Sequence, residues 1–510
     1  MPKWLNNAIF YEIYPQSFMD TNGDGIGDFN GIISKLPYIK GLGCNAIWIN
    51  PCFKSPFGDA GYDVSDYYEV APRYGSNDDL KHLFEEAHKL DMHVLLDLVP
   101  GHTSWDHEWF KRSSEPEHNE YSDRYIWTDS IWEQPQGLGY LGGLAPRDGC
   151  CAVNFFSHQP ALNYGYEEIT RPWQQPTDAE GPKATLEEMK NIMRFWLNMG
   201  CDGFRVDMAG SLVKNDPEGK GTIRLWQNVR EFLDEEFPEA ALISEWGDPD
   251  KSLAGGFHMD FLLHFGPMKY WELFRSEKAF FSGHGDISEF FERYMESYQK
   301  THDKGLICIP SGNHDMQRIS HDLTPEEIKL AFAFMLSMPG APFIYYGDEI
   351  GMRNLDGLVS VEGGYGRTAA RTPMQWDESK NAGFSTAESD QLYITIDHDE
   401  NRPTVSKQES DENSILNELK RLTTVRNSHP AFNAESDFEL VYVRKNDPVI
   451  AYIRESEAEK LLIAINTSAK PETIACDYLP KETVYKQGNP ASFDGKKATI
   501  PAKSCGFYHI

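Results

Sequence analysis

A chain of 510 residues is too long for one compact core and implies two or three domains. Hydrophobic content of 40% and aromatic content of 13% suit a globular enzyme. The net charge of −31 excludes a nucleic-acid binder, whose partner demands a basic face, and a protein held on an anionic membrane surface.

Met1 to Asn7 lacks the apolar core of a secretory signal and runs straight into a strand-like stretch, Ile9 to Tyr14. No apolar run is long enough to span a bilayer. The eight cysteines show no CxxC spacing, and Cys44, Cys201 and Cys308 lie in or beside apolar strands, as reduced buried thiols do. The expectation is a cytoplasmic protein, a monomer or small homo-oligomer. Next comes Asp20-Thr21-Asn22-Gly23-Asp24-Gly25-Ile26-Gly27-Asp28, with oxygen-bearing side chains at alternate positions. This is the ligand rhythm of an EF-hand loop, but Gly31 stands where the bidentate Glu would be, and the flanking helices are missing. An Asp/Asn/Gly turn without metal has the same composition.

Leu36 to Leu42 ends a helix, Ala46 to Ile49 forms the second strand, and Gly61-Tyr62-Asp63 lies in the loop beyond it. After an amphipathic helix, Leu80 to Leu90, the third strand, His93 to Val99, carries Asp97 and leads to His102. From about Gly101 to Tyr164 the helix–strand alternation lapses into a stretch too long for an ordinary loop. The helical pattern Leu186 to Met199, closed by Gly200, restores it. In Gly203-Phe204-Arg205-Val206-Asp207-Met208, apolar and charged residues alternate with the period of a strand. Ala241 to Ser244 runs into Glu245 and Trp246, His258 to Phe261 gives a sixth strand, and Ile307 to Pro310 leads to Asn313-His314-Asp315. Phe343 to Glu349 forms the eighth strand and Leu416 to Asn427 the last helix. Beyond His429-Pro430 the texture is all-β, as in Phe438 to Arg444 and Lys460 to Asn466.

This alternation specifies an α/β chain whose carboxylates sit at the C-terminal ends of strands, where a TIM barrel keeps its chemistry. The expected architecture is a (β/α)8 barrel formed by 1–101 and 165–428. A small domain, 102–164, is inserted after strand three, and an antiparallel β-sandwich, 429–510, follows. The barrel mouth gathers Asp207, Glu245, Asp315, His102 and His314, with Arg205 placed to hold Asp207 ionised. Taken singly, each has a structural reading: an ion pair closing a barrel layer, or a histidine fixed by hydrogen bonds.

Four stretches, Asp97-Leu-Val-Pro-Gly-His102, Gly203-Phe-Arg-Val-Asp207, Glu245 after its strand, and Asn313-His314-Asp315, resemble the four short conserved regions of the α-amylase family, glycoside hydrolase family 13. They stand in the family's order. The resemblance runs from about Ala8 to the C-terminus. Gly61-Tyr62-Asp63, Gln159-Pro-Ala-Leu-Asn163 and Arg371-Thr-Pro-Met-Gln-Trp376 make it most similar to the α-glucosidase and oligo-1,6-glucosidase branch. Ala161 departs from that branch, which usually has Asp there.

The resemblance implies Asp207 as nucleophile, Glu245 as general acid, and Asp315 as the group holding two hydroxyls of a distorted sugar ring. It makes Tyr62 the platform under a bound glucose. His102, Arg205 and His314 become further substrate-binding residues, and Asp63 and Arg371 the bridge over the terminal sugar. Such a bridge admits only a chain end, so the enzyme would be exo-acting on short oligosaccharides, α-1,4 or α-1,6 linked, with retention of configuration. Glu245 has no cation in its own run and lies beside Trp246, a setting that suits an acid. In the same branch the Asp20–Asp28 stretch is a calcium loop. Asp20, Asn22, Asp24 and Asp28 would then ligate by side chain and Ile26 by its carbonyl, holding structural Ca²⁺ or Mg²⁺. Competing readings are an α-glucan transglycosylase or sucrose-acting enzyme, an endo-acting α-amylase, and a non-catalytic transporter-subunit relative. Met208 matches neither linkage habit of the branch, which leaves linkage open.

Overall fold

The computed structural model describes residues 1–510 apart from Gln136 and Leu144. Eight short parallel strands form its centre: β1 (Phe10–Ile13), β2 (Ala46–Ile49), β3 (His93–Leu98), β4 (Gly203–Val206), β5 (Ala241–Ser244), β6 (Met259–Phe261), β7 (Leu306–Cys308) and β8 (Phe343–Tyr345). Sequential strands are neighbours, β1 also pairs β8, and a parallel bridge from Pro310 to Phe343 closes the ring between β7 and β8. A helix follows each strand: α1 (Phe29–Gly41), α2 (Asn77–Lys89), α3 (Glu180–Met199), α4 (Lys220–Glu236), α5 (Pro249–Ala254), α6 (Ser288–Thr301), α7 (Pro325–Ser337) and α8 (Ile415–Ser428). The α3 helix stops where Gly200 enters the left-handed region at φ 119°, the signal legible in the sequence.

Alternation along the strands grades the barrel interior from apolar to charged. Phe10, Trp48, Leu95, Ile243, Phe261 and Phe343 pack inside as one buried cluster. Two residues further along the same inward face stand Glu12, Asn50, Asp97 and Glu245. The register sets Leu95 beside Gly203 and Asp97 beside Arg205. Gly203 has no substitute there: its φ is 142°, and a Cβ would meet the Ala241 carbonyl oxygen at 2.1 Å.

Between β3 and α3 the chain forms a short helix, Glu108–Ser113, and an antiparallel hairpin of Gly139–Gly142 with Cys150–Val153. Isolated bridges from His102 to Ala161 and from Tyr125 to Leu162 tie this segment to itself at the barrel mouth. After α8, a five-stranded antiparallel sheet and a three-stranded one enclose a core that includes Val449, Leu462, Ile474 and Ile500. Arg454 fixes this sandwich to the barrel: fully buried, it donates to the carbonyls of Ser337 at 2.7 Å and Asn433 at 2.6 Å. All eight cysteines are buried and free. Among the described residues no helix is long and apolar enough to cross a membrane.

Candidate active site

The C-terminal ends of the strands open into a cavity of about 780 Å³. Asp207, Glu245 and Asp315 line it together with Tyr62 and His102, so the strand ends do converge. Its floor is built on Arg205, which is buried. Its Nη1 donates to Asp97 at 2.8 Å and to Asp207 at 3.2 Å. Its Nη2 lies 3.0 Å from Glu245 Oε2, a charge contact that lacks hydrogen-bond alignment. Glu245 therefore has a cationic neighbour after all, supplied by the adjacent strand and invisible in its own run.

Met208 adopts φ 44°, uncommon for a residue with a side chain, and this turns its N–H onto Glu245 Oε2 at 2.9 Å. Glu245 Oε1 has no hydrogen-bond partner among the described residues. Arg205 does not hold Asp207 ionised by itself. Burial and the facing Glu245 carboxylate push the Asp207 carboxyl well up, and Arg205 pulls the other way. The facing carboxylate thus disfavours the charged form of Asp207.

Asp315 has the opposite environment. Burial opposes its ionisation, but His314, Arg371 and Arg367 overcome this and hold it far below the usual carboxylate range. Burial keeps His314 itself neutral near pH 7, so at that pH the guanidiniums carry the effect. Arg367 Nη1 and Arg371 Nη2 both donate to Asp315 Oδ1, at 2.8 and 2.9 Å.

Tyr62 lies near-parallel to His314, ring centroids 5.4 Å apart, with its hydroxyl 3.1 Å from Asp97 Oδ2 and 2.7 Å from His314 Nε2. His102 is engaged at both nitrogens, Nε2 with the Tyr62 carbonyl at 3.1 Å and Nδ1 with Asn154 at 3.0 Å. Burial pushes its pKa down to about 3, so it stays neutral. To donate to a ligand it must release the Tyr62 carbonyl.

The bridge over the pocket is not made by Asp63 and Arg371. Asp63 is fully buried and accepts from Ser55 Oγ at 2.9 Å, Gly58 N at 2.8 Å and Asp59 N at 3.1 Å. It shapes the turn that presents Asp59. Arg371 is also buried, tied from behind to the His314 carbonyl at 2.8 Å. Across the cavity it is Asp59 Oδ1 and Arg367 Nη2 that approach, at 3.5 Å. Among the described residues Asp59 Oδ1 has no hydrogen-bond partner, which leaves it an acceptor for a ligand hydroxyl. Burial pushes the Asp59 carboxyl up to about 6, against the Gln159 hydrogen bond and the nearby guanidiniums.

Sequence reasoning also missed the apolar upper wall, Phe155, Phe156, Phe265 and Tyr365, and the polar side chain His264. Phe155 and Phe156 lay inside the recognised excursion after strand three. Phe265 and Tyr365 carried no periodic signal, because exposed loop aromatics follow no element's pattern.

The loop Asp20–Asp28 is closed by its own amides. Asp20 accepts from the N–H groups of Asn22, Gly23 and Gly25 at 3.0, 2.7 and 2.8 Å, and Asp28 caps α1 through Gly31 N at 2.7 Å. Asn22 and Asp24 each take one backbone donor, at 2.9 Å. The second Asp24 oxygen and the Ile26 carbonyl have no hydrogen-bond partner among the described residues. Open oxygen acceptors beside two further carboxylates fit a hard cation.

The sequence model of the α-amylase catalytic domain matches residues 12–435. Trehalose synthase/amylase of Mycolicibacterium smegmatis is 31% identical over 94% of this chain and 88% of its own length. Oligo-1,6-glucosidase of Heyndrickxia coagulans is 31% identical over 92% of this chain and 93% of its own. The crystal structure of an isomaltulose synthase mutant from Erwinia rhapontici, in complex with sucrose, superposes with a TM-score of 0.84 at 25% identity, covering 100% of this chain and 99% of that one. Sequence, barrel and strand-end carboxylates agree: this chain is an enzyme of the α-amylase family, glycoside hydrolase family 13.

Proposed function

We propose that the protein is a retaining, exo-acting α-glucosidase of short oligosaccharides. The observation that carries this reading is the Asp59–Arg367 pair, which stands 3.5 Å apart across the pocket with Arg367 also bound to Asp315. A pocket blocked at one end receives a chain terminus and not the middle of a polymer. The double displacement requires Asp207 as the anion and Glu245 as the acid. Asp207 attacks the anomeric carbon, and Glu245 protonates the leaving oxygen through Oε1. The covalent glucosyl ester on Asp207 is then attacked from the opposite side by water, which gives its proton to Glu245. Asp315, kept anionic by two arginines, holds ring hydroxyls as the oxocarbenium-like centre forms, and Tyr62 lies under the sugar.

A second reading has its own support. Phe155, Phe156, Phe265 and Tyr365 surround the acceptor side with apolar surface, which disfavours bulk water and favours a sugar acceptor. The relatives named as trehalose synthase and isomaltulose synthase point the same way. Product analysis on maltotriose, isomaltotriose, sucrose, trehalose and starch separates the two. Glucose released stepwise from a trisaccharide, first as the α-anomer by NMR, supports hydrolysis. Sugar isomers formed without free glucose support transfer. Mixed oligosaccharides from starch would overturn the closed pocket.

We further infer that Asp20, Asn22, Asp24, Asp28 and the Ile26 carbonyl hold Ca²⁺ or Mg²⁺, whose role there is structural. The free buried thiols fit a reducing, cytoplasmic setting.

A further inference from the structure

Among the described residues, outside the pocket and the loop, one cluster of ligand-type side chains remains. His429, Glu459 and His509 bring one nitrogen, one carboxylate oxygen and one nitrogen within 4.8 Å of one another. They come from three separate pieces of chain. His429 terminates α8, Glu459 sits in the turn between Val449–Glu455 and Lys460–Asn466, and His509 ends the last strand, Ser504–His509.

We propose that these side chains form a divalent transition-metal site, selective for Zn²⁺-like ions, that clamps the exit of the barrel's last helix to the C-terminal sandwich. Glu459 Oε2 lies 2.8 Å from His429 Nδ1 and 3.5 Å from His509 Nε2. Bonds of ~2.0–2.1 Å at tetrahedral angles set neighbouring ligand atoms ~3.3 Å apart, so these two edges bracket the ideal. The carboxylate is already aimed, because its other oxygen, Oε1, accepts from Ala431 N–H at 3.0 Å and leaves Oε2 to the histidines. The neighbouring ammonium of Lys460 is turned away onto Glu455 at 2.7 Å. Two neutral imidazoles and one carboxylate suit a borderline ion over Ca²⁺ or Mg²⁺, which prefer all-oxygen cages. The histidine side chains are 23% and 30% exposed, which gives an ion an entry path and leaves water as the fourth ligand.

The test uses the full chain, stripped with chelator and then saturated with Ca²⁺ to occupy the Asp20–Asp28 loop. Co²⁺ is titrated and followed by visible absorption, and Zn²⁺ is then added in competition. The expected result is one Co²⁺ per chain with the spectrum of a four-coordinate site, displaced by Zn²⁺, and a Zn²⁺-dependent rise in Tm. Each of His509→Asn and Glu459→Gln should weaken Co²⁺ binding by about 100-fold or more, beyond the usual effect of outer-shell changes, and abolish the Tm rise. Both should leave glucoside cleavage unchanged. A wild-type titration with no four-coordinate band would overturn the site and leave an ordinary His–Glu hydrogen bond. So would binding undiminished in both variants, each checked for native fold by circular dichroism.

Discussion

Arg367 and Arg371 lie four residues apart and both touch Asp315, yet only Arg367 lines the cavity. Arg367→Ala is expected to lower kcat/KM on disaccharides and trisaccharides more than on long glucans, with Tm nearly unchanged. Arg371→Ala should instead unfold the mouth, costing about 3 kcal/mol or more because it leaves a buried carboxylate short of a partner, and a melting curve checks this. Asp59 must be ionised to accept from a sugar hydroxyl through its open oxygen while facing Arg367. Its folded pKa is about 6, so kcat/KM on short substrates should fall as pH drops through 6, and Asp59→Asn should remove that limb of the profile. Glu245→Gln should cost ~10²–10⁴-fold on natural substrates but far less on aryl glucosides, whose leaving groups need little protonation. At this scale the sequence placed the three acids at the cavity, since period-2 alternation and strand-end placement fix where they point. It misplaced the bridge. Asp63 and Asp59 are separated by one turn of loop, and only the fold shows which carboxylate faces inward and which one braces the turn.

Among the elements, every barrel strand was legible because parallel strands buried on both faces read as continuous apolar runs. Their ends were not. Phe343–Tyr345 stops four residues short of Glu349, where the chain turns into a single 3-10 turn, Asp348–Ile350. The Asp20–Asp28 loop joins two such excursions. Asp20 N–H donates to the Phe384 carbonyl at 3.0 Å, and Tyr393 N–H to that of Gly25 at 3.2 Å. A cation bound there would lock the loop after β1 to the long segment after β8. In Zn²⁺-free protein, removing Ca²⁺ should therefore lower Tm, Ca²⁺ at ~100 times its Kd should restore about 2.7 kcal/mol, and Asp24→Ala should make Tm indifferent to Ca²⁺.

Across the whole molecule, the sandwich is held to the barrel by a guanidinium whose partners are backbone carbonyls. Arg454 is buried, burial lowers its pKa to about 10, and its donors end on backbone carbonyls of both units. Arg454→Met keeps the stem but orphans those carbonyls, and is expected to cost about 2–4 kcal/mol, read as a drop in the denaturation midpoint of the entire chain. The change to β texture after Pro430 announced the second unit. Its docking was unreadable, because an arginine inside a strand pattern looks like a solvent-facing residue until its partners, one of them 117 positions away, are in place.

The guanidinium of Arg205 has a consequence for the timing of turnover. It faces Asp207 and Glu245 at once. In the proposed double displacement, one of these is an anion and the other an acid before the first step. Afterwards the former anion is a neutral ester and the former acid carries the charge. The sum of charge opposite Arg205 from these two is minus one throughout, with Asp97 beside it. The cation can thus stay still while charge passes between the carboxyls on either side of it, and neither half of the cycle requires the floor of the pocket to repolarise.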